Sequence, residues 1–303
     1  MSALQYGWNG PPETPGSFWV RFDQCTRTPS TWKEEIYAAA RAITTRSTKP
    51  LWLCLSGGID SEIMCQAFFD QGINFSVLTL AHTNGTNEHD ISYARTWCRQ
   101  HDVTQKIVPI DFQSFLKNDI ERFIEQGYLA KHPFRYMQLK LFQIIEELGG
   151  RAVLGGGELY YELDSSTPLL APENIYCEYN SEYVAALEWN KNNGTDHVPY
   201  FYITSPEMIL AYLDLPLVAC ALEHPETFLH PMSKYTLKRL VYQSVWHTHT
   251  ARPKYDGFEK ILPIIQSKNL DLVRRLGSRM QYYRFPITRL RQELMLNNRF
   301  AYV

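Results

Sequence analysis

Cysteine is sparse and scattered. None of the six, Cys25, Cys54, Cys65, Cys98, Cys177 and Cys220, stands in a C-x-x-C pair or beside histidines at zinc-ligand spacing. A sequence-legible zinc site and a dithiol redox motif are thereby excluded, and buried thiols in a reducing cytosol are the simplest reading. Long apolar runs are missing as well: no window approaches the length needed to span a bilayer, and the opening MSALQYGWNGPPETPGSF has neither the basic start nor the apolar stretch of a secretory signal. A cytoplasmic location, away from membranes, is expected. Surplus charge is also absent, since 30 basic against 32 acidic residues leave a net charge of −2. That balance offers no footprint for nucleic acid, so a small-molecule substrate or another protein is the expected partner; oligomeric state is not legible.

What is present supports a real core. With 303 residues, 45% of them hydrophobic, the chain can fill one large domain or a domain with an appended lobe. Thr31, three residues before Glu34, forms a capping-box pattern that opens a helix ending near Lys49-Pro50. From there strands and helices alternate: strand 51–55, helix 60–71, strand 75–80, helix 87–101, strand 105–110, helices through 111–126 and 134–148, strand 151–154. Alternation of this kind predicts an α/β fold, a parallel sheet doubly wound with helices on both faces. Beyond Glu158 the pattern turns Tyr-rich and Pro-punctuated, with a hairpin predicted around Asn192-Asn193-Gly194 and a helix opening at Ser205-Pro206-Glu207. The expected organisation is an N-terminal extension and helix (1–48), a nucleotide-binding α/β domain (49–158) and a mainly helical substrate or lid lobe (159–303). The histidines and tyrosines of the last part, including His247 and His249, are read as packing and surface residues, and Arg135 as a helix-surface arginine.

The stretch LWLCLSGGIDSEIMCQAFF (51–69) carries the chemistry. A buried strand runs into Ser-Gly-Gly-Ile-Asp-Ser and straight on into a helix, the place where open parallel sheets bind ligands. Gly57 and Gly58 permit backbone angles that let successive N–H groups face one anion, and the helix adds the positive end of its dipole. Ser56 and Ser61 can donate hydroxyl hydrogen bonds. Asp60 is discordant, because a carboxylate repels phosphate unless a cation lies between them; Mg²⁺ held by Asp60 would remove the conflict. The plainer reading is a strand-to-helix turn with Asp60 or Ser61 as its cap.

SGGIDS resembles the S-G-G-x-D-S pyrophosphate loop of the PP-loop ATP pyrophosphatase superfamily, and the Walker pattern is not found. The resemblance implies a HUP-like fold, ATP and Mg²⁺ as cofactors, attack at the α-phosphorus with release of pyrophosphate, and an adenine and ribose lined by the strand end at Leu80, Ala81 and His82. Two shorter stretches are similar to the synthetase domain of asparagine synthetase. VLGGGELYYE (153–162) places Glu158 on a glutamate that reaches the reacting phosphate, with Gly157 where that family has a metal-binding aspartate. TARPKYDGFEK (250–260) places Arg252 and Lys254 on an R-x-K stretch whose lysine meets the pyrophosphate. With Ser2 at the second position and 48 residues before the α/β domain, the fused glutaminase half of asparagine synthetase is not expected, so free ammonia, an amine or a separate partner would supply nitrogen.

The expected activity is therefore an ATP-dependent, AMP-forming ligase that adenylates a carboxylate or carbonyl oxygen and transfers nitrogen. The alternatives are a non-catalytic adenine-nucleotide-binding module and a PP-loop enzyme of sulfur transfer or nucleobase modification.

Overall fold

The computed structural model describes residues 2–7, 19–128, 130, 133–157, 161–163, 174–179, 184–224, 231–246 and 282–295. At its centre lie four parallel strands, β3 (Leu51–Cys54), β4 (Ser76–His82), β5 (Gln105–Ile110) and β6 (Arg151–Leu154), in the order β5-β4-β3-β6. The strand side chains alternate between two cores. Leu51, Leu53, Leu55, Val77 and Val153 face one way, against α1 (Trp32–Thr45), α2 (Ile59–Asp70) and α3 (Glu88–Gln100). Cys54, Leu78, Ala152 and Leu154 face the other. There they meet a broken helix, α4 (Phe112–Ser114), a π-helical turn (Phe115–Asp119) and α5 (Ile120–Glu125), followed by α6 (Pro133–Glu147). Burial on both faces explains why β3 and β6 read as nearly continuous apolar runs. This is a doubly wound α/β fold.

Both cores continue into later parts of the chain. The first takes in α8 (Pro206–Leu213), α9 (Pro216–Glu223) and α10 (Pro231–Trp246); the second takes in α7 (Val184–Asn193) and α11 (Ile287–Leu294). Two small antiparallel sheets lie beside these, β1 (Leu4–Gly7) with β2 (Trp19–Phe22), and β7 (Tyr161–Leu163), β8 (Asn174–Tyr179) and β9 (Tyr282–Pro286), and a 3₁₀ turn, Phe201–Ile203, precedes α8.

Ser205 caps α8, accepting from the Met208 N–H, as its sequence predicts. Two local expectations are corrected. Asn192-Asn193-Gly194 ends α7 instead of turning a hairpin: Gly194 takes φ +61° and the Thr195 N–H bonds the Asn190 carbonyl, a Schellman closure that uses the same residues as a hairpin turn. At α1, Thr31 accepts from the Glu34 N–H, but the residue that reaches back is Glu35. Its buried carboxylate accepts from the Ser30 N–H at 2.6 Å and pairs with both terminal nitrogens of Arg27. Arg27 and the Ser30 amide hold the Glu35 pKa below its ordinary value against the opposing effect of burial.

The sheet order positions the site. From β3 the chain moves outward through β4 and β5, then crosses back to β6 on the other side. The crevice between the carboxyl ends of β3 and β6 is the topological switch point, where open α/β sheets bind ligands.

Candidate anion and nucleotide site

The loop Ser56–Ser61 leaves β3 at that switch point. Leu55 still belongs to the sheet: its N–H bonds the Leu78 carbonyl and its own carbonyl accepts from Thr79 Oγ1. Gly57 then takes φ +91°, and a Cβ added there would lie 1.9 Å from the Asp90 carbonyl oxygen, so both conformation and space require glycine. Gly58 is the N-cap of α2 and supplies no side-chain cap, leaving the first-turn amides of α2 to be satisfied by something other than a capping side chain. The two serines brace the loop. Buried Ser61 Oγ donates to the Gly58 carbonyl at 3.0 Å, accepts from the Ser56 N–H at 3.2 Å and lies 3.0 Å from Ser56 Oγ; Ser56 Oγ in turn accepts from the Gly58 N–H. The hydroxyls thus set the shape of the loop.

The opposite wall comes from β6. A Cβ on Gly155 would sit 2.6 Å from Ser61 Cα, so the two loops touch through glycine. Gly157 takes φ +100°, with Tyr200 and Ile203 against it. A side chain would be strained there and would meet Tyr200, which is a structural reason for glycine at this position. Glu158, next in the chain, lies outside the described residues, as do Arg252 and Lys254.

Charge at the site comes from a residue the sequence reading passed over. Lys238 of α10 forms an ion pair with Asp60 Oδ2. Tyr202 donates to the Asp60 backbone carbonyl at 2.8 Å. An aromatic cluster of Trp32, Tyr202, Tyr212 and Tyr242 joins α1, α8 and α10 behind this contact. Leu237, Val241 and Tyr242 form the buried stripe of α10, and Lys238, four residues before Tyr242, lies on that same face. A lysine inside an apolar stripe is the signal that marks it.

Leu80, Ala81 and His82 form the end of β4, one strand over from the loop. His82 Nδ1 lies 2.8 Å from Thr86 Oγ1, its ring packs 5.4 Å from Phe112, and burial lowers its pKa. Ser56, Gly57, Gly58, Asp60 and Ser61 thus share one turn, against which Gly155 of the turn after β6 packs through Ser61.

The donor set bears on a metal as well. Among the described residues no group of three or more His, Cys, Asp or Glu could hold an ion. Asp60 is the carboxylate carried by the loop itself. That set fits Mg²⁺ arriving on phosphate oxygens, which takes one or two carboxylates and keeps its waters, and does not fit a resident all-protein site.

No protein-family model matches the chain, and no curated protein sequence matches it. Among solved structures, the NH3-dependent NAD synthetase from Campylobacter jejuni in complex with nitrate is 17% identical, with 82% of this chain and 91% of that one covered at a TM-score of 0.35. The NMN synthetase from Francisella tularensis is 13% identical, covering 89% and 98% at a TM-score of 0.35. A U34-tRNA thiolase from Methanococcus maripaludis is 15% identical, covering 74% and 84% at a TM-score of 0.33. Likenesses of this distance assign no function.

Proposed function

We propose that the chain is an ATP-dependent, AMP-forming ligase that adenylates a carboxylate or carbonyl oxygen and lets a nitrogen nucleophile displace AMP. The observation that supports it is the Ser56–Ser61 loop: a glycine at φ +91°, a helix N-terminus with no side-chain cap and a nearby lysine, all at the switch point of a parallel sheet. Backbone amides and the α2 dipole stabilise phosphate charge without reorganising, which is the main demand of phosphoryl and nucleotidyl transfer. Lys238 supplies positive charge to the departing pyrophosphate, a role in which Arg252 and Lys254 join it in this proposal. Leu80, Ala81 and His82 take the base and ribose, and Glu158 faces the acceptor. Mg²⁺ carried by ATP, held by Asp60, would neutralise charge between the phosphates. Residues 49–158 form the nucleotide-binding part and 159–303 the acceptor-binding lobe; the acceptor is a small molecule, and free ammonia, an amine or a separate protein supplies nitrogen. Among the described residues no helix is long and apolar enough to cross a membrane.

The test is product analysis. Purified protein incubated with ATP, Mg²⁺, ammonium and a panel of carboxylates yields AMP and pyrophosphate with the right acceptor. ADP and phosphate as products overturn the reading, and tight ATP binding with no turnover across the panel identifies a binding module instead.

A further inference from the structure

The geometry points to Asn87 as the residue that sets the affinity of the base subsite: its carboxamide occupies the edge that reads the nucleobase, and the base must displace it. This deepens the nucleotide site proposed above and rests on it.

The argument starts from strand register. In β4 the odd-numbered residues turn their backbone groups toward β5: the Val77 N–H bonds the Thr104 carbonyl and the Thr83 N–H bonds the Ile110 carbonyl. Even-numbered residues face β3, as the Leu55 N–H to Leu78 carbonyl bond shows. Strand β3 stops at Cys54, whereas β4 runs on to His82. The carbonyl of Leu80 and the N–H of His82 therefore project past the end of β3, on the side of the Ser56–Ser61 loop. An acceptor and a donor, side by side, form a two-point reading edge.

Asn87 fills that edge. Its Nδ2 donates to the Leu80 carbonyl at 2.9 Å and its Oδ1 accepts from the His82 N–H at 2.8 Å. Asn87 is also the N-cap residue of α3, yet it makes no side-chain cap bond to its own helix. Asparagine is favoured at N-caps because it caps, so here the side chain gives up its ordinary role to satisfy β4. A carboxamide presents one N–H donor beside one carbonyl acceptor. Adenine presents the same pair, the N6 amino group beside a ring nitrogen. Inosine presents the reverse, a carbonyl beside a protonated ring nitrogen, and cannot match Leu80 and His82. Asn87 is thus an internal stand-in for an adenine edge: a base that replaces it must break its two hydrogen bonds, and the Leu80 carbonyl and His82 N–H set the polarity that base must have.

The experiment measures binding of ATP, inosine triphosphate and inorganic tripolyphosphate by calorimetry to the wild-type chain, Asn87→Ala and Thr86→Ala. Thr86 belongs to the same loop and meets His82 only through its imidazole, so its loss loosens the loop without clearing the edge. Asn87→Ala should bind ATP about tenfold more tightly, the equivalent of two net hydrogen bonds that no longer need breaking, with inosine triphosphate and tripolyphosphate unchanged. Thr86→Ala should show no such gain. An Asn87→Ala protein that melts like wild type and binds ATP no better, or gains equally for inosine triphosphate, overturns the inference. Tripolyphosphate separates the two levels: if it binds while ATP gains nothing, the Asn87 inference falls and the anion loop stands; if nothing binds any variant, both fall.

Discussion

Replacing Gly57 with Ala tests the loop where its geometry is most demanding. Two costs add. The left-handed region costs a residue with a Cβ about 1–2 kcal/mol, and at φ +91° Gly57 lies in positive-φ territory. The new methyl would also start 1.9 Å from the Asp90 carbonyl oxygen, and a tolerable contact begins near 3.0 Å, so the loop or the first turn of α3 must move by about an ångström. Forcing extra volume into a packed site typically costs about 1–3 kcal/mol. A total near 3 kcal/mol corresponds to a fall of roughly 5 °C in melting temperature for a chain of 303 residues. Gly58→Ala is the matched control. Gly58 has φ −74° and ψ 154°, ordinary extended backbone, and its added Cβ would meet only Ser56 Oγ at 3.3 Å. The small loss from alanine at an N-cap and the small gain from a stiffer unfolded chain leave Gly58→Ala within about 0.5 kcal/mol of wild type. Thermal melts and tripolyphosphate titrations of the pair decide the matter. Gly57→Ala should melt lower and lose phosphate binding while Gly58→Ala keeps both; a Gly57→Ala protein that melts within about 2 °C of wild type and binds phosphate equally refutes the geometry.

Lys238→Met keeps the aliphatic stem and removes the charge, so it should leave the melt nearly unchanged but weaken triphosphate binding by about tenfold or more; unchanged binding removes Lys238 from the site. Gly157→Asp adds a carboxylate to the turn after β6, but at φ +100° with Tyr200 Cβ 2.8 Å from the new Cβ it should destabilise by about 2 kcal/mol and add no activity, as melts and pyrophosphate release will show. Buried His197 accepts from the Ala152 N–H at 3.0 Å through Nδ1 and meets Glu146 at 2.8 Å through Nε2; burial lowers its pKa, with Glu146 opposing. The folded state resists a proton that the unfolded chain takes near pH 6.5, so stability is full above that pH and falls as pH drops through it, by at most about 1.4 kcal/mol per unit. His197→Gln should flatten the melting curve between pH 7.5 and 5.5, and a wild-type melt that rises on acidification contradicts the sign.

The parts of the fold legible in the sequence are those written in contiguous residues. Leu51, Leu53 and Leu55 alternate with Trp52 and Cys54 because the two cores take alternate side chains, so β3 can be read without any tertiary knowledge. The loop is legible for the same reason: six adjacent residues set its backbone. Where one local pattern serves two structures, reading fails. Asn-Asn-Gly can close a hairpin or a helix, and only the packing of Val184, Ala185 and Trp189 into the second core selects the helix. Thr31 and Glu34 fit a capping box, yet Arg27, four residues upstream of Thr31, draws Glu35 into that service. Lys238 is the clearest omission. It reaches Asp60 across 178 positions, and no spacing rule connects a helix-borne lysine to a loop at that distance.

The Asp60–Lys238 pair makes the consequence of Asp60→Asn depend on the cation present. Both side chains are about a quarter exposed, 24% and 27%, so loss of the pair should cost at most about 1 kcal/mol of stability. The effect on ligand is larger and changes sign. Without divalent cation, Asp60 repels an incoming phosphate and holds the ammonium that would attract it; at about 5 Å and an effective dielectric near 20, one such charge pair is worth roughly 3 kcal/mol before screening. Asparagine removes the repulsion and releases Lys238 to the phosphates. In EDTA, Asp60→Asn should therefore bind ATP at least about tenfold more tightly than wild type. With Mg²⁺ the order reverses. In the proposed function Asp60 would hold the metal and leave Lys238 to the phosphates, so the variant, with no carboxylate for the metal, should lose pyrophosphate release by several powers of ten. Calorimetry with and without Mg²⁺, beside a pyrophosphate-release assay, reads both halves. Weaker binding of the variant in EDTA contradicts the repulsion, and equal turnover with Mg²⁺ contradicts the metal role of Asp60, so the two charges of the pair are tested separately by one substitution.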